Sequence, residues 1–224
     1  MNESVENWRR SMRLQRWDYS REGAYFITVC TQNREYLFGE ISQDSMQLNA
    51  PGTMVVEVWD RLPDRFDFMQ LDVRVIMPNH LHAIVVIRRG ESCIRPSATL
   101  PQNIINFDQG DHLDRGEHKV RPYGKIRPRG TAEGSIGRIV QAFKSITTHQ
   151  YLQGIRECGW QPFPGKLWQR NYYEHIVRDE EEWQLIRDYI AGNPINWAMD
   201  RENCEAGQNI SAEPWRILST RNHL

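Results

Sequence analysis

Nothing in this 224-residue sequence approaches the roughly 18 consecutive apolar residues that a membrane span requires. The first ten residues are polar and charged, without the apolar stretch of a secretion signal, so a cytoplasmic protein is expected. Cys30, Cys93, Cys158 and Cys204 lie far apart with no Cys-x-x-Cys pair, which argues against both a zinc cluster and a disulfide framework. No internal repeat is visible. A basic excess is missing too: the formal net charge is −1, with 28 Lys and Arg against 29 Asp and Glu. Proteins that neutralise phosphates usually carry such an excess, so the average argues mildly against a nucleic-acid partner.

The charge is unevenly spread. Arg9 to Arg21 is net positive by 4, Arg115 to Gly130 by 5, and Asn171 to Asp188 net negative by 4. A basic track on a neutral molecule is compatible with this pattern, and so are plain solvated faces. With 39% hydrophobic and 25% charged residues, the chain has the composition of one globular domain with appendages.

Along the chain, Gly23 to Thr31 is aromatic and β-branched and bounded by polar residues, which predicts a central strand. A second strand is expected over Tyr36 to Ile41. Asn49-Ala-Pro51 starts a helix whose Met54, Val55, Val58, Trp59 and Leu62 recur at helical spacing as far as Pro63. Leu71 to Met77 and His80 to Ile87 are apolar runs parted by Pro78-Asn79, a turn signal that suggests a hairpin.

Residues 88–134 hold several Pro and Gly and no sustained period, and read as a long, partly basic excursion. A helix is expected from Ser135, with Ile136, Ile139, Val140, Phe143, Ile146 and Thr147 on one face. Leu167 to Val177 reads as extended. Asp179 and Glu182 then make a capping-box-like start for a helix to about Gly192, ended by Asn193-Pro194 because the residue before proline is pushed out of helical geometry. The tail after Trp197 is given no chemistry. The order strand, strand, helix, strand, strand, excursion, helix, strand, helix is an α+β pattern, with helices on a mainly antiparallel sheet. It divides into a basic segment (1–22), one domain (23–197) and a tail (198–224).

Two constellations carry chemistry. His80 and His82, two apart in a strand, project from one surface and leave coordination positions open for a divalent cation. Tyr189 and Asn193, four apart in a helix, share one face. A tyrosine oxygen attacks phosphorus if a metal or base assists it, and an amide oxygen can ligate that metal. Both pairs also fit structural roles: strand histidines satisfied by neighbours, a packed tyrosine, an asparagine ending a helix. Spacing alone leaves the matter open.

Met77-Pro-Asn-His-Leu-His82, Leu167-Trp-Gln-Arg-Asn-Tyr-Tyr-Glu-His175 and Arg187-Asp-Tyr-Ile-Ala-Gly-Asn-Pro194 resemble segments of the single-tyrosine HUH transposases, where HUH means histidine, hydrophobic, histidine. The likeness is to the REP-associated tyrosine transposases. It extends to Arg13-Leu14, Asp18-Tyr19, Gly23 to Arg34 and Ile139 to Ser145, and so covers most of 13–197 outside the excursion. The long excursion and the absent basic excess depart from it.

The resemblance implies a ferredoxin-like fold, His80 and His82 as the metal pair, Tyr189 as nucleophile and Asn193 as a further ligand, with Mg²⁺ or Mn²⁺ as the ion. It also implies single-stranded, hairpin-forming DNA as substrate, a 5′-phosphotyrosine intermediate, no nucleotide cofactor, and action on the bacterial nucleoid. A monomer is expected, with a helix-exchanged dimer as the alternative. Candidate DNA contacts are Arg13, Arg16, Arg138, Lys144 and Arg170 for phosphates, and Trp168 and Tyr172 for unpaired bases. His175 is a candidate neighbour of the site. Two other readings keep the histidine pair: a metal-dependent nuclease using water, and a domesticated binder of structured DNA.

Overall fold

A computed structural model describes residues 20–88 and 134–205. The expectations for Arg13, Arg16, the basic N-terminal segment, most of the excursion and the end of the tail lie outside these residues. The described residues belong to one compact unit.

The main sheet is antiparallel. Its strands are β1 (Gly23–Cys30), β4 (Met69–Met77), β5 (His80–Ile87) and β6 (Tyr173–Val177), in the spatial order β4-β5-β1-β6. Helix α1 (Ala50–Asp60) follows β1, and α3 (Ile136–Cys158) lies between β5 and β6. The framework β1-α1-β4-β5-α3-β6 in that order is ferredoxin-like, and the expected α+β class holds. A small hairpin, β2 (Gly39–Ser42) and β3 (Ser45–Leu48), and a short helix, α2 (Leu62–Arg65), are inserted into it. Among the described residues, no helix is long and apolar enough to cross a membrane.

Strand periodicity sorts the side chains to two faces. Tyr25, Ile27 and Val29 of β1 and Leu81, Ala83 and Val85 of β5 are buried with α1 and α3 around Trp59, Phe143 and Trp168. Phe143 sits edge-on to Trp59 with ring centroids 5.2 Å apart, and 5.3 Å from Trp168, whose indole Nε1 donates to Thr147 Oγ1 at 2.8 Å. Each such aromatic pair contributes about 0.5–1.5 kcal/mol beyond the area it buries. The opposite face carries Ala24, Phe26, Thr28, His80, His82 and Ile84, and the last helix, α4 (Glu180–Gly192), packs there through Ile186 and Ile190.

Local sequence explains the boundaries. Asn49 caps α1, its side chain accepting from Gly52 N at 2.9 Å with Pro51 in the first turn. Asp179 caps α4, accepting from Glu182 N at 2.8 Å. Glu182 does not complete the box by reaching back to Asp179; its carboxylate takes the Arg178 backbone N–H and guanidinium and faces His175.

Three expectations need correction. The strand expected over Tyr36 to Ile41 begins only at Gly39 and pairs with β3 outside the main sheet, because Leu37 N and Phe38 N donate to Pro78 O instead of joining a ladder. The α3 helix, whose end the sequence left open, runs to Cys158 and ends on Gly159 in the left-handed region. The extended run from Leu167 is a regular strand only from Tyr173, with Trp168 making one isolated bridge to Thr31. Finally, α4 does end at Gly192, yet Asn193 keeps helical dihedrals (φ −60°, ψ −42°) and a turn follows it. Proline's missing N–H, not a distorted preceding residue, accounts for the stop.

Gly154 tests this packing. A Cβ there would lie 2.2 Å from Trp160 Cε3, and that ring stacks edge-on against the buried Tyr151. Alanine gains about 1 kcal/mol of helix propensity over glycine, whereas overpacking costs about 1–3 kcal/mol. Gly154→Ala is therefore expected to lower the thermal midpoint, and a rise would show that the Trp160 contact is dispensable.

Candidate metal and nucleophile centre

The β4–β5 turn sets the position of the histidines. Pro78 O accepts from Leu37 N at 2.8 Å, and Asn79 O accepts from Thr31 N at 2.8 Å, so the turn is clamped by the chain after β1. His80 and His82 then open β5 opposite Cys30 and Thr28 of β1. Both histidines are buried, with ring centroids 4.3 Å apart. Each has one ring nitrogen committed: His80 Nδ1 lies 2.8 Å from Asn79 Oδ1, and His82 Nδ1 lies 2.8 Å from Thr28 Oγ1. Since an amide oxygen only accepts, His80 carries its proton on Nδ1, leaving Nε2 as a lone pair. Orienting a ligand histidine through its other nitrogen is a regular feature of metal sites.

Helix α4 brings the second constellation over the first. Tyr189 is half-buried, its hydroxyl 3.4 Å from His82 Nε2 and its ring 5.3 Å from the imidazole, with Phe26 behind it. One turn on, Asn193 is buried and its Nδ2 donates to Asp200 Oδ2 at 2.8 Å. Asp200 Oδ2 lies 3.9 Å from His82 Nε2, an ion-pair distance rather than a hydrogen bond. One donor atom from each of His80, His82 and Asp200 falls within 4.8 Å of the other two.

The electrostatics suit a cation. Burial, reinforced by His82, pulls the His80 imidazole well below its ordinary range, so it is neutral and able to ligate. Burial would raise the Asp200 carboxyl, but its interactions with His82, His80 and the Asn193 amide outweigh this and hold it below the usual carboxylate value. Two polar atoms at this centre, His80 Nε2 and Asn193 Oδ1, are buried without a hydrogen-bond partner. Leaving such atoms unsatisfied costs about 1–3 kcal/mol each, and both atoms are of types that ligate divalent cations. Two imidazoles, an amide oxygen and a carboxylate form a mixed nitrogen and oxygen donor set that fits a divalent ion.

The structure thus gathers His80, His82, Tyr189 and Asn193. It also adds Asp200, Asn79 and Thr28, which the sequence reading left out. The tail, assigned no chemistry from its sequence, contributes Asp200 to this cluster: polar composition conceals one buried acid. Thr28 was legible in principle, as the cross-strand partner of His82 once β1 and β5 are paired. His175 lies across the ladder from Phe26, and its Nε2 is 3.0 Å from Glu182 Oε1 at the start of α4.

The DNA-contact candidates divide. Arg138 and Arg170 are exposed and Tyr172 is half-buried. Lys144 is occupied: its ammonium donates to the carbonyls of Gln169 (2.8 Å) and Asn171 (3.0 Å), with Tyr172 5.6 Å away, and burial pulls its pKa down to about 8. Trp168, only 4% exposed and packed between Phe38 and Phe143, has no ring face to offer a base, which corrects the stacking role expected of it.

Fold and site define an α+β domain of ferredoxin-like topology with a tyrosine over a histidine-pair centre. No family model matches the chain. A protein of Haemophilus influenzae without assigned function is 36% identical over 193 residues, 86% of this chain and 92% of that protein, and the chain belongs to the same family as that protein. Among solved structures, a REP-associated tyrosine transposase bound to a REP hairpin is 17% identical with a TM-score of 0.47, covering 83% of this chain and 74% of that one. A Deinococcus radiodurans protein provisionally described as a transposase is 12% identical with a TM-score of 0.38, covering 81% of this chain and 96% of that one.

Thr28 carries the first test of the site. Thr28→Val removes the partner of His82 Nδ1 while keeping the β-branched shape. It is expected to weaken Mn²⁺ binding about 10–100-fold by titration calorimetry, the usual effect of losing a residue that orients a ligand. Unchanged affinity would mean that His82 is not a ligand oriented through Nδ1.

Proposed function

We propose that this protein is a transposase-type enzyme of the REP-associated tyrosine branch, which nicks and rejoins single-stranded, hairpin-forming DNA through Tyr189. The observation that carries this reading is the Tyr189 hydroxyl 3.4 Å from His82 Nε2, above a buried His80, His82, Asn193 and Asp200 cluster. The order of the matching motifs in the sequence supports it.

His80 and His82, with Asn193 through its amide oxygen, would hold Mg²⁺ or Mn²⁺. When bound, such an ion supplies Lewis-acid polarisation of a scissile phosphate. Tyr189 is positioned by its helix and by Phe26 rather than free to rotate into solvent. Its phenolic oxygen attacks phosphorus in line, a new O–P bond forms, and the bond from phosphorus to the 3′ oxygen breaks. The phenol gives up a proton and the departing oxygen takes one up, leaving a 5′-phosphotyrosine and a free 3′-hydroxyl. The bond energy stays in the phosphotyrosine, so a 3′-hydroxyl from another end reverses the step without a nucleotide cofactor.

Arg138 and Arg170 stand as the exposed phosphate-contact candidates and Tyr172 as a base contact, with Arg13 and Arg16 retained from the sequence. In this reading one chain completes its own centre. Asp72, at an irregularity in β4 between Leu71 and Arg74, accepts from Trp183 Nε1 at 2.5 Å and Arg187 Nε at 2.9 Å, fastening α4 to the sheet of the same chain.

The decisive experiment incubates the protein with Mn²⁺ or Mg²⁺ and single-stranded hairpin oligonucleotides and resolves the products under denaturing conditions. A covalent protein–DNA adduct is expected from the native protein and none from Tyr189→Phe. An adduct that persists in that variant removes Tyr189 as nucleophile, and cleavage without adduct makes water the attacking group. A second measurement mixes His80→Ala with Tyr189→Phe protein. No adduct should form if each chain builds its own centre, whereas recovery would establish an exchanged helix.

A further inference from the structure

Beyond α4 the chain does not leave the site. After a turn and a short 3₁₀ segment (Trp197–Met199), residues 200–203 return across the end of the sheet and are tied down there. Asn79 Nδ2 donates to Glu202 O at 2.7 Å, while its Oδ1 faces His80 Nδ1. Glu202 accepts from Arg34 Nε at 3.0 Å and from the buried Cys30 thiol at 3.3 Å. Tyr36 Oη donates to Asn203 Oδ1 at 2.7 Å, and Asn203 Nδ2 donates to Trp197 O at 2.9 Å. Asp200 Oδ1 accepts from Glu202 N at 2.6 Å, turning Oδ2 toward Asn193 and His82. Asn79 therefore joins a candidate metal ligand and this strap by a single side chain.

Among the described residues, the strap brings in the only acid of the cluster. His80, His82 and Asn193 are neutral donors, so a dication held by them alone would keep its full charge in a buried place until a phosphate arrived. A buried carboxylate facing imidazoles has the reciprocal problem, because a buried charge is costly without an opposite one. Each answers the other. We infer that Asp200 is a resident metal ligand, delivered by the 200–203 strap, which lets the chain hold its divalent ion before any DNA binds. This rests on the functional reading above, and it adds an anionic oxygen to the His80, His82 and Asn193 set.

The test is calorimetric titration of metal-stripped full-length protein with MnCl₂ in the absence of DNA, for native protein, Asp200→Asn, Glu202→Ala and His80→Ala. Native protein is expected to bind one equivalent, and Asp200→Asn to bind at least about tenfold more weakly, in the range seen when support of a metal site is lost. Glu202→Ala keeps Asp200 but releases the strap from Arg34 and Cys30, and should weaken binding by a smaller factor. Far-UV circular dichroism in EDTA checks that the variants fold. Should Asp200→Asn not fold, the Glu202→Ala titration decides, and native affinity in that variant would overturn the inference. Native affinity in folded Asp200→Asn would also overturn it while leaving the histidine centre intact. Native protein that takes up no Mn²⁺, or His80→Ala that binds as native, would overturn the metal reading and this inference together.

Discussion

Burying two imidazoles, an amide and a carboxylate at one end of an antiparallel sheet is expensive, and much of the surrounding polar bonding answers that expense. Thr28 and Asn79 each take one imidazole nitrogen, and Asn193 and Glu202 N take the two oxygens of Asp200. What is left is His80 Nε2 and Asn193 Oδ1, both on residues of this cluster. Orphan polar atoms scattered through a core would be defects. Gathered on one cluster of donor residues, they describe a ligand.

The sheet provides this cluster with its rigidity. β5 is a central strand, laddered to β4 on one side and β1 on the other, so the His80 and His82 backbones are fixed by hydrogen bonds along both edges. The face opposite the main core is left for one helix. Where α1 and α3 bury Trp59 and Phe143, α4 buries just two apolar side chains outright, Ile186 and Ile190, and the polar fastening at Asp72 adds direction to a small apolar contact. The Asp72 carboxyl is held below its ordinary value: burial works against the charge, and the bonds from Arg187 and Trp183 prevail.

How much of this could be read from the sequence follows from the range of the interactions. Strand alternation and helical spacing are local, so β1, β4, β5, α1 and α4 were legible, as was the α+β class. The pairing of His80 with His82 and of Tyr189 with Asn193 was legible for the same reason. That the two pairs meet was not, since it depends on which face α4 covers, and motif resemblance rather than spacing supplied it. Asp200 was invisible because it sits in an irregular segment with no period to mark it. Trp168 misled for the complementary reason: an aromatic in a polar run resembles a base-stacking residue, and only the packing of Phe38 and Phe143 around it shows a core side chain. Lys144 likewise looked like a free cation, whereas its charge closes the turn before β6.

The placement of the fastenings on α4 bears on how the site tolerates motion. Its start is held by the Asp179 cap and the Arg178–Glu182 pair, its middle by Asp72, and its end by Asn193 on Asp200. Tyr189 lies between the last two. A helix rises 1.5 Å per residue, so about 9 Å separates Arg187 from Asn193. A helix anchored only at Asp72 could swing its far end, and the tyrosine with it, by more than the fraction of an ångström that separates a productive from an unproductive attack. With Asn193 bonded to Asp200, and Asp200 carried by a strap that also bonds Asn79, the far end is referred back to the turn that positions His80. The nucleophile and the histidines are thus held in one frame, although more than a hundred residues separate them in the chain.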